Sequence, residues 1–286
     1  MQFAELNNIT LHYQVLSAPA NKPVLVFINS LGTDFRIWRD VIINFAGDFA
    51  MVAYDKRGHG LSSAGKSPYK MDDHVSDLIA LLDHLSVKNA ILCGVSVGGL
   101  IAQGVFARRP DLIRGLVLCD TGHKIGTDEV WNDRISTVQA DGIKALADAT
   151  MTRWFSPEFH EEQPAALQGY QNMLERQSVD GYVGTCVAIR DTDYTEIAKS
   201  ITVPTLCVVG DQDGATPPEL VSELAGLING SEFQIIEGAG HIPSIEQADR
   251  LSDLMKKFFA IRILSASAME PASPTTIEHA PKPTLQ

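Results

Sequence analysis

Residues 94–98, Gly94-Val95-Ser96-Val97-Gly98, form a G-x-S-x-G pentapeptide. The apolar run Ala90 to Cys93 precedes it, and VGGLIAQGVFARR follows as far as Pro110. That order predicts a strand, a sharp turn carrying Ser96, and a helix whose unpaired N–H groups lie behind the serine. The turn forces the serine into a strained conformation, and glycines on either side let other backbone pass close by. Such a serine is a candidate nucleophile, which needs a base to take its proton and an acid to orient the base. In the chain order that goes with this motif, the acid and then the histidine follow the serine. Asp213 lies in VVGDQDGATPP, just past the apolar run TLCVV, and His241 lies in GAGHIPSIEQ, just past EFQII. Asp211 is the rival carboxylate. Asp213 is preferred because it falls further into the loop, with a proline following as the next helix begins. Of the other histidines, His59 precedes Ser96 in the chain, and His74 and His84 are expected on a surface helix.

Acyl transfer by a serine passes through a tetrahedral oxyanion that needs two backbone N–H donors. Val97, directly after the nucleophile, supplies one. The loop Asn29-Ser30-Leu31-Gly32-Thr33-Asp34 follows the apolar run from Pro23 to Ile28. Leu31 is the expected second donor there, with Gly32 allowing the turn.

These loops need a frame. FAELN and ITLHYQV alternate in polarity and predict a hairpin turning at Asn7-Asn8. Short, almost wholly apolar runs recur at Pro23–Ile28, Ala50–Tyr54, Ala90–Cys93, Leu116–Cys119, Thr205–Val209 and Glu232–Ile236. Strands buried on both faces of a parallel sheet have this composition. Helical patterns separate them, as in Val75, Leu78, Ile79, Leu82 and Leu85. The expected fold class is α/β, a mostly parallel central sheet flanked by helices. The alternation stops between about Gly122 and Ser200, which predicts a helical cap (122–200) inserted into a core of 1–121 and 201–264. Residues 265–286 (SASAMEPASPTTIEHAPKPTLQ) are rich in Pro, Ser, Thr and Ala, the composition of a disordered tail.

The net charge of −12 disfavours nucleic-acid and anionic-membrane partners. It also means that an anionic substrate needs a local cation. No apolar run approaches the roughly 20 residues of a membrane span. Cys93, Cys119, Cys186 and Cys207 have neither zinc-site nor disulfide spacing and read as small hydrophobes in a reducing compartment. With no signal peptide apparent, a cytoplasmic location is expected.

The chain to about Leu264 resembles the α/β-hydrolases. The likeness rests on residues 29–32 in the oxyanion loop, YDKRGHGLSS (54–63), GVSVGG (94–99), GDQD (210–213) and GAGH (238–241). Where most relatives read His-Gly in the oxyanion loop, this chain has Asn29-Ser30. FINSLGTDFRIW and DTGHKIGTDEVWNDRI are similar to segments of the 3-oxoadipate enol-lactonases of bacterial aromatic catabolism. That resemblance implies hydrolysis of a small anionic enol-lactone through an acyl-enzyme, with no metal or organic cofactor. The cap offers Lys124, Arg134, Arg153 and Arg190 as partners for the substrate carboxylate. Arg134 is favoured because it can share a helical face with Trp131. Trp131 and Trp154 are candidates for pocket wall as well as for packing, and Ser30 is a candidate hydrogen-bonding group. Asp55 and Arg57 are expected to fix the loop beside the site through an ion pair. Two other readings share these residues: a general carboxylesterase or perhydrolase, and a non-catalytic binding protein of the same fold.

Overall fold

Runs almost free of polar side chains build the middle of one eight-stranded sheet. In the computed structural model, which describes residues 1–16 and 23–265, the strands are β1 (Gln2–Leu6), β2 (Ile9–Leu16), β3 (Val24–Ile28), β4 (Ala50–Tyr54), β5 (Ala90–Val95), β6 (Ile113–Cys119), β7 (Thr205–Gly210) and β8 (Glu232–Ile236). Their order is β1-β2-β4-β3-β5-β6-β7-β8. β2 pairs antiparallel with both β1 and β4, and every other pairing is parallel. β3, β5 and β7 are buried along their whole length. The hairpin turns where expected, with Asn7 and Asn8 both at positive φ (50° and 62°), as a tight two-residue turn between twisted strands requires. One expectation fails at the sheet edge. β8 is not buried on both faces, since Gln234 and Ile235 face solvent; it has a neighbour on one side only.

The helices are α1 (Arg39–Asn44), α2 (Met71–His84), α3 (Val97–Arg108), α4 (Asp128–Asp141), α5 (Ala147–Trp154), α6 (Pro157–Glu162), α7 (Pro164–Glu175), α8 (Val179–Arg190), α9 (Thr195–Ser200), α10 (Pro218–Leu227), α11 (Pro243–Glu246) and α12 (Ala248–Phe258). The whole run from α4 to α9 falls between β6 and β7, the stretch where the sequence shows no strand pattern. α3 is buried on every side from Val97 to Phe106, and a helix apolar all round belongs inside a protein. α2 shows its apolar face to the core, but His74 is buried too, not on the surface as expected. It packs edge-on to Tyr69 and lies 3.3 Å from the Thr185 hydroxyl of α8. His84 is exposed.

Asp55 and Arg57 each form an ion pair, but with separate partners. Asp55 bonds His12 at 2.8 Å and the backbone of Phe35 and Leu61. Arg57 clasps Asp77 of α2 with two hydrogen bonds of 2.6 and 2.8 Å. The four cysteines are free and buried, and burial pushes the Cys186 and Cys207 thiols up to about 12. Among the described residues, no helix is long and apolar enough to cross a membrane. Apart from Ser265, the expected disordered tail lies outside the described residues.

Candidate active site

Five loops leave the C-terminal ends of β3, β5, β6, β7 and β8 and carry the polar groups of the site. At the end of β5, Ser96 stands at φ 57°, ψ −119°, directly before α3. A side chain at positive φ is strained, and here the surroundings hold it. A Cβ on Gly94 would press on the backbone of Gly98, and one on Gly98 would press on the Ile28 carbonyl. Both motif glycines are therefore required by the approach of β3, β5 and α3. The Ser96 N–H donates to the Cys119 carbonyl at 3.0 Å, and the Ser96 carbonyl accepts from the Thr121 hydroxyl at 2.6 Å.

His241 and Asp213 come together as the chain order predicted. His241 Nδ1 lies 2.9 and 3.0 Å from the two Asp213 carboxylate oxygens. Asp213 also accepts from the Thr216 hydroxyl (2.6 Å) and from the Ala215 and Thr216 N–H groups (2.7 and 3.0 Å). Burial pushes the Asp213 carboxyl up, but the charge of His241 and the hydrogen bonds from His241 and Thr216 outweigh it and hold it below the usual carboxylate range. With Nδ1 occupied, Nε2 is the imidazole nitrogen left for proton transfer. Asp211, the rival, accepts from the Gly238 and Ala239 N–H groups and shapes the turn after β8 instead.

Sequence reasoning missed Asp120, at the end of β6. It is fully buried, at φ 47°, with Oδ1 accepting from the Gly210 N–H at 2.9 Å and Oδ2 unpartnered. Carboxylate oxygens of Asp120 and Asp213 and a ring nitrogen of His241 all lie within 4.8 Å of one another. Burial, and then the Asp213 charge, push the Asp120 carboxyl well above its ordinary range. Asp120 therefore holds its proton more tightly than Asp213 beside it does. The dipeptide Cys119-Asp120 at a strand end was the available signal.

The loop after β3 is braced from below. The Asn29 side chain donates to the Thr33 carbonyl, and Lys56 Nζ donates to the Ser30 carbonyl at 2.5 Å. The Gly32 N–H donates to His59 Nε2 at 3.0 Å. Burial, and then the charge of Lys56, hold His59 well below the usual imidazole range, so the ring is neutral. Its proton sits on Nδ1, 3.1 Å from the Arg57 carbonyl. Asn29 is fully buried and shapes the loop, whereas Ser30 and Leu31 face the cavity. Val97 is the first residue of α3; its side chain is buried, and its N–H has no acceptor in the preceding turn of helix.

A cavity of about 300 Å³ opens above Ser96 and His241. Ser30, Leu31, Trp131, Arg134 and Trp154, all singled out from the sequence, line it. Arg134 lies over the Trp131 ring at 5.5 Å and donates to the Tyr182 hydroxyl at 2.8 Å. Trp131 also packs, its Nε1 donating to the Ile125 carbonyl at 2.6 Å. The other candidate cations divide. Arg153 lines the cavity, whereas Lys124 faces Asp193 and Arg190 bonds Asp191 and Asn132. Tyr182 was missed because it lies in the apolar helix α8, where an aromatic reads as core. The Trp154 carbonyl accepts from the His241 N–H at 2.8 Å, and Glu246 accepts from Ser156 and from the Gly240 N–H. The segment after β6 is thereby tied directly to the histidine loop.

A serine on a tight turn, a histidine held by a buried carboxylate and a cavity beside them form the arrangement of an acyl hydrolase. The family model described as the alpha/beta hydrolase fold matches residues 23–148. The 3-oxoadipate enol-lactonase 2 of Acinetobacter baylyi is 33% identical over 255 residues, which cover 88% of this chain and 95% of that protein. The chain belongs to the 3-oxoadipate enol-lactonase family of α/β-hydrolases. A second relative, 3-oxoadipate enol-lactonase 1 of the same organism, is 31% identical over 249 residues, 87% of this chain and 92% of its own. The crystal structure of the enol-lactonase from Burkholderia xenovorans superposes with a TM-score of 0.87 at 35% identity, covering 91% of this chain and 100% of that one. This protein is thus a hydrolase of the α/β fold.

Proposed function

We propose that this enol-lactonase family member hydrolyses 3-oxoadipate enol-lactone to 3-oxoadipate by a Ser96–His241–Asp213 triad. The observation that carries the reading is one cavity bringing Ser96 and His241 together with an arginine spread over a tryptophan. That pairing suits a small ring bearing a carboxylate. The names of the relatives favour the same substrate.

His241 Nε2 takes the Ser96 proton as Oγ attacks the lactone carbonyl. The oxyanion is held by the Val97 and Leu31 N–H groups, fixed in advance by the helix start and the braced loop. Collapse breaks the acyl–oxygen bond and opens the ring. The enolate takes the proton from His241 and tautomerises to a ketone, which makes reclosure unfavourable. His241 then activates water to release the acid from Ser96. Asp213, an anion with four donors on it, orients the imidazole and stabilises its charged form. Arg134 holds the substrate carboxylate, Trp131 and Trp154 wall the ring, Ser30 hydrogen-bonds it, and residues 122–200 act as a cap. No step requires a metal or organic cofactor, and the location inferred from the cysteines is cytoplasmic.

The test is ultraviolet decay of freshly generated enol-lactone. Turnover that vanishes in Ser96→Ala supports the reading. Efficient turnover of p-nitrophenyl acetate or peracid formation, with the enol-lactone untouched, would replace it with an esterase or perhydrolase. No labelling of Ser96 by a fluorophosphonate would replace it with a binding protein.

A further inference from the structure

The cavity wall has a charge imbalance that one substrate carboxylate does not explain. Arg134 and Arg153 both line it, and none of the lining residues is Asp or Glu. Arg134 spends one donor on the Tyr182 hydroxyl, a neutral partner, and keeps its other N–H groups free. The guanidinium of Arg153, at the end of α5, forms no hydrogen bond or ion pair among the described residues, although the residue is partly buried. Its backbone and the start of its side chain pack against Gly214, beside the triad acid. Burial, and then the Arg134 charge, lower the affinity of Arg153 for its proton, so the two cations feel one another across the cavity. Guanidinium groups stay charged in proteins. An unliganded pair of like charges in a partly buried site is therefore repulsive, and an anion relieves it.

We propose that Arg134 and Arg153 together form a dicarboxylate site, matched in charge to the reaction product and not to the substrate. Hydrolysis adds water across the acyl–oxygen bond of the monoanionic lactone. It leaves a second carboxylate and releases one proton to solvent. The ligand goes from one negative charge to two inside a wall with two positive charges. The product is thus the better partner for this pair of cations, and it competes with fresh lactone. The identity of that product rests on the lactonase reading, but the dicarboxylate preference does not.

Adipate and hexanoate, equal in chain length and differing by one carboxylate, are the probes. Calorimetric titration of the full chain should show adipate binding one to one and at least about tenfold tighter than hexanoate, since charge-assisted hydrogen bonds are strong. Adipate should compete with substrate, and Arg153→Ala should weaken it by about tenfold. Arg153→Lys, which keeps the charge, should recover part of that loss, which a merely structural arginine would not do. Equal binding of adipate and hexanoate overturns the proposal, as does adipate affinity unchanged in Arg153→Ala. A protein that prefers adipate yet leaves the enol-lactone intact keeps the cation pair and loses the lactonase reading. One that opens the lactone but ignores adipate does the reverse.

Discussion

The two halves of the site are built by different means. At the sheet ends, every functional group is over-determined. Asp213 has four donors, Ser96 is fixed at both its N–H and its carbonyl, and Gly94 and Gly98 admit no Cβ. The wall facing them is lightly held. Arg134 rests on one tryptophan face and one hydroxyl, and Arg153 has no partner among the described residues. The difference teaches where each kind of information lies. On the proposed reading, reaction type belongs to the rigid half, and substrate choice to the half with free donors.

The largest effect should come from the rigid half. Ser96→Ala should lower kcat by about 10⁴-fold or more on any ester, because the base then has nothing to activate. Residual turnover near the wild-type level would remove Ser96 from the chemistry. Next, Asp213→Asn should cost about 10³–10⁴-fold, by losing the anion that sets the His241 tautomer, while Asp211→Asn should cost far less. If Asp211→Asn were the worse of the two, the acid would have been wrongly assigned. The lightly held half should respond selectively. Arg134→Ala should reduce kcat/KM by about 10–100-fold on a carboxylated lactone, and by much less on a neutral aryl ester. Equal losses on both would end the carboxylate role and blur the division between the halves.

The smallest effect should be a pH dependence of stability at Asp120. Its folded-state carboxyl is raised, so below about pH 4, where the unfolded chain is protonated too, it takes nothing from stability. As pH rises further, the unfolded chain releases its proton while the folded one must hold it or bury a charge, and stability falls. Asp120→Asn keeps the acceptor for the Gly210 N–H and removes the titration. The Tm of the variant relative to wild type should therefore increase with pH from about 4 upward. A difference independent of pH would mean that Asp120 does not titrate in this way.

What was legible in the sequence follows the same division. The strands, the turn at Ser96 and the order of Asp213 and His241 are local patterns, and a local pattern survives without knowledge of the rest of the chain. Pairings across the fold left no such trace. Asp55 and Arg57 stand two residues apart, yet one reaches back to His12 and the other on to Asp77. The amphipathic pattern of its helix puts His74 at the surface; Tyr69 and Thr185, the latter from α8, pack against it instead. β8 (EFQII) carries Glu232 and Gln234 between its apolar residues, and it lies at the sheet edge, where strand order puts it. Of the four candidate cations, spacing to Trp131 picked out Arg134, but Arg153 could not be told from Lys124 and Arg190 by type or spacing, because only packing puts it at the cavity.

The bond from the His241 N–H to the Trp154 carbonyl, together with Glu246 bridging Ser156 and Gly240, sets a limit on modular exchange. The end of α5 serves as a splice joint with His241, the proposed base. A chimera that brings in a foreign helical segment must keep a free carbonyl at position 154 and the Ser156–Glu246 bridge. One joined upstream of that point would inherit a new specificity wall and a misplaced histidine.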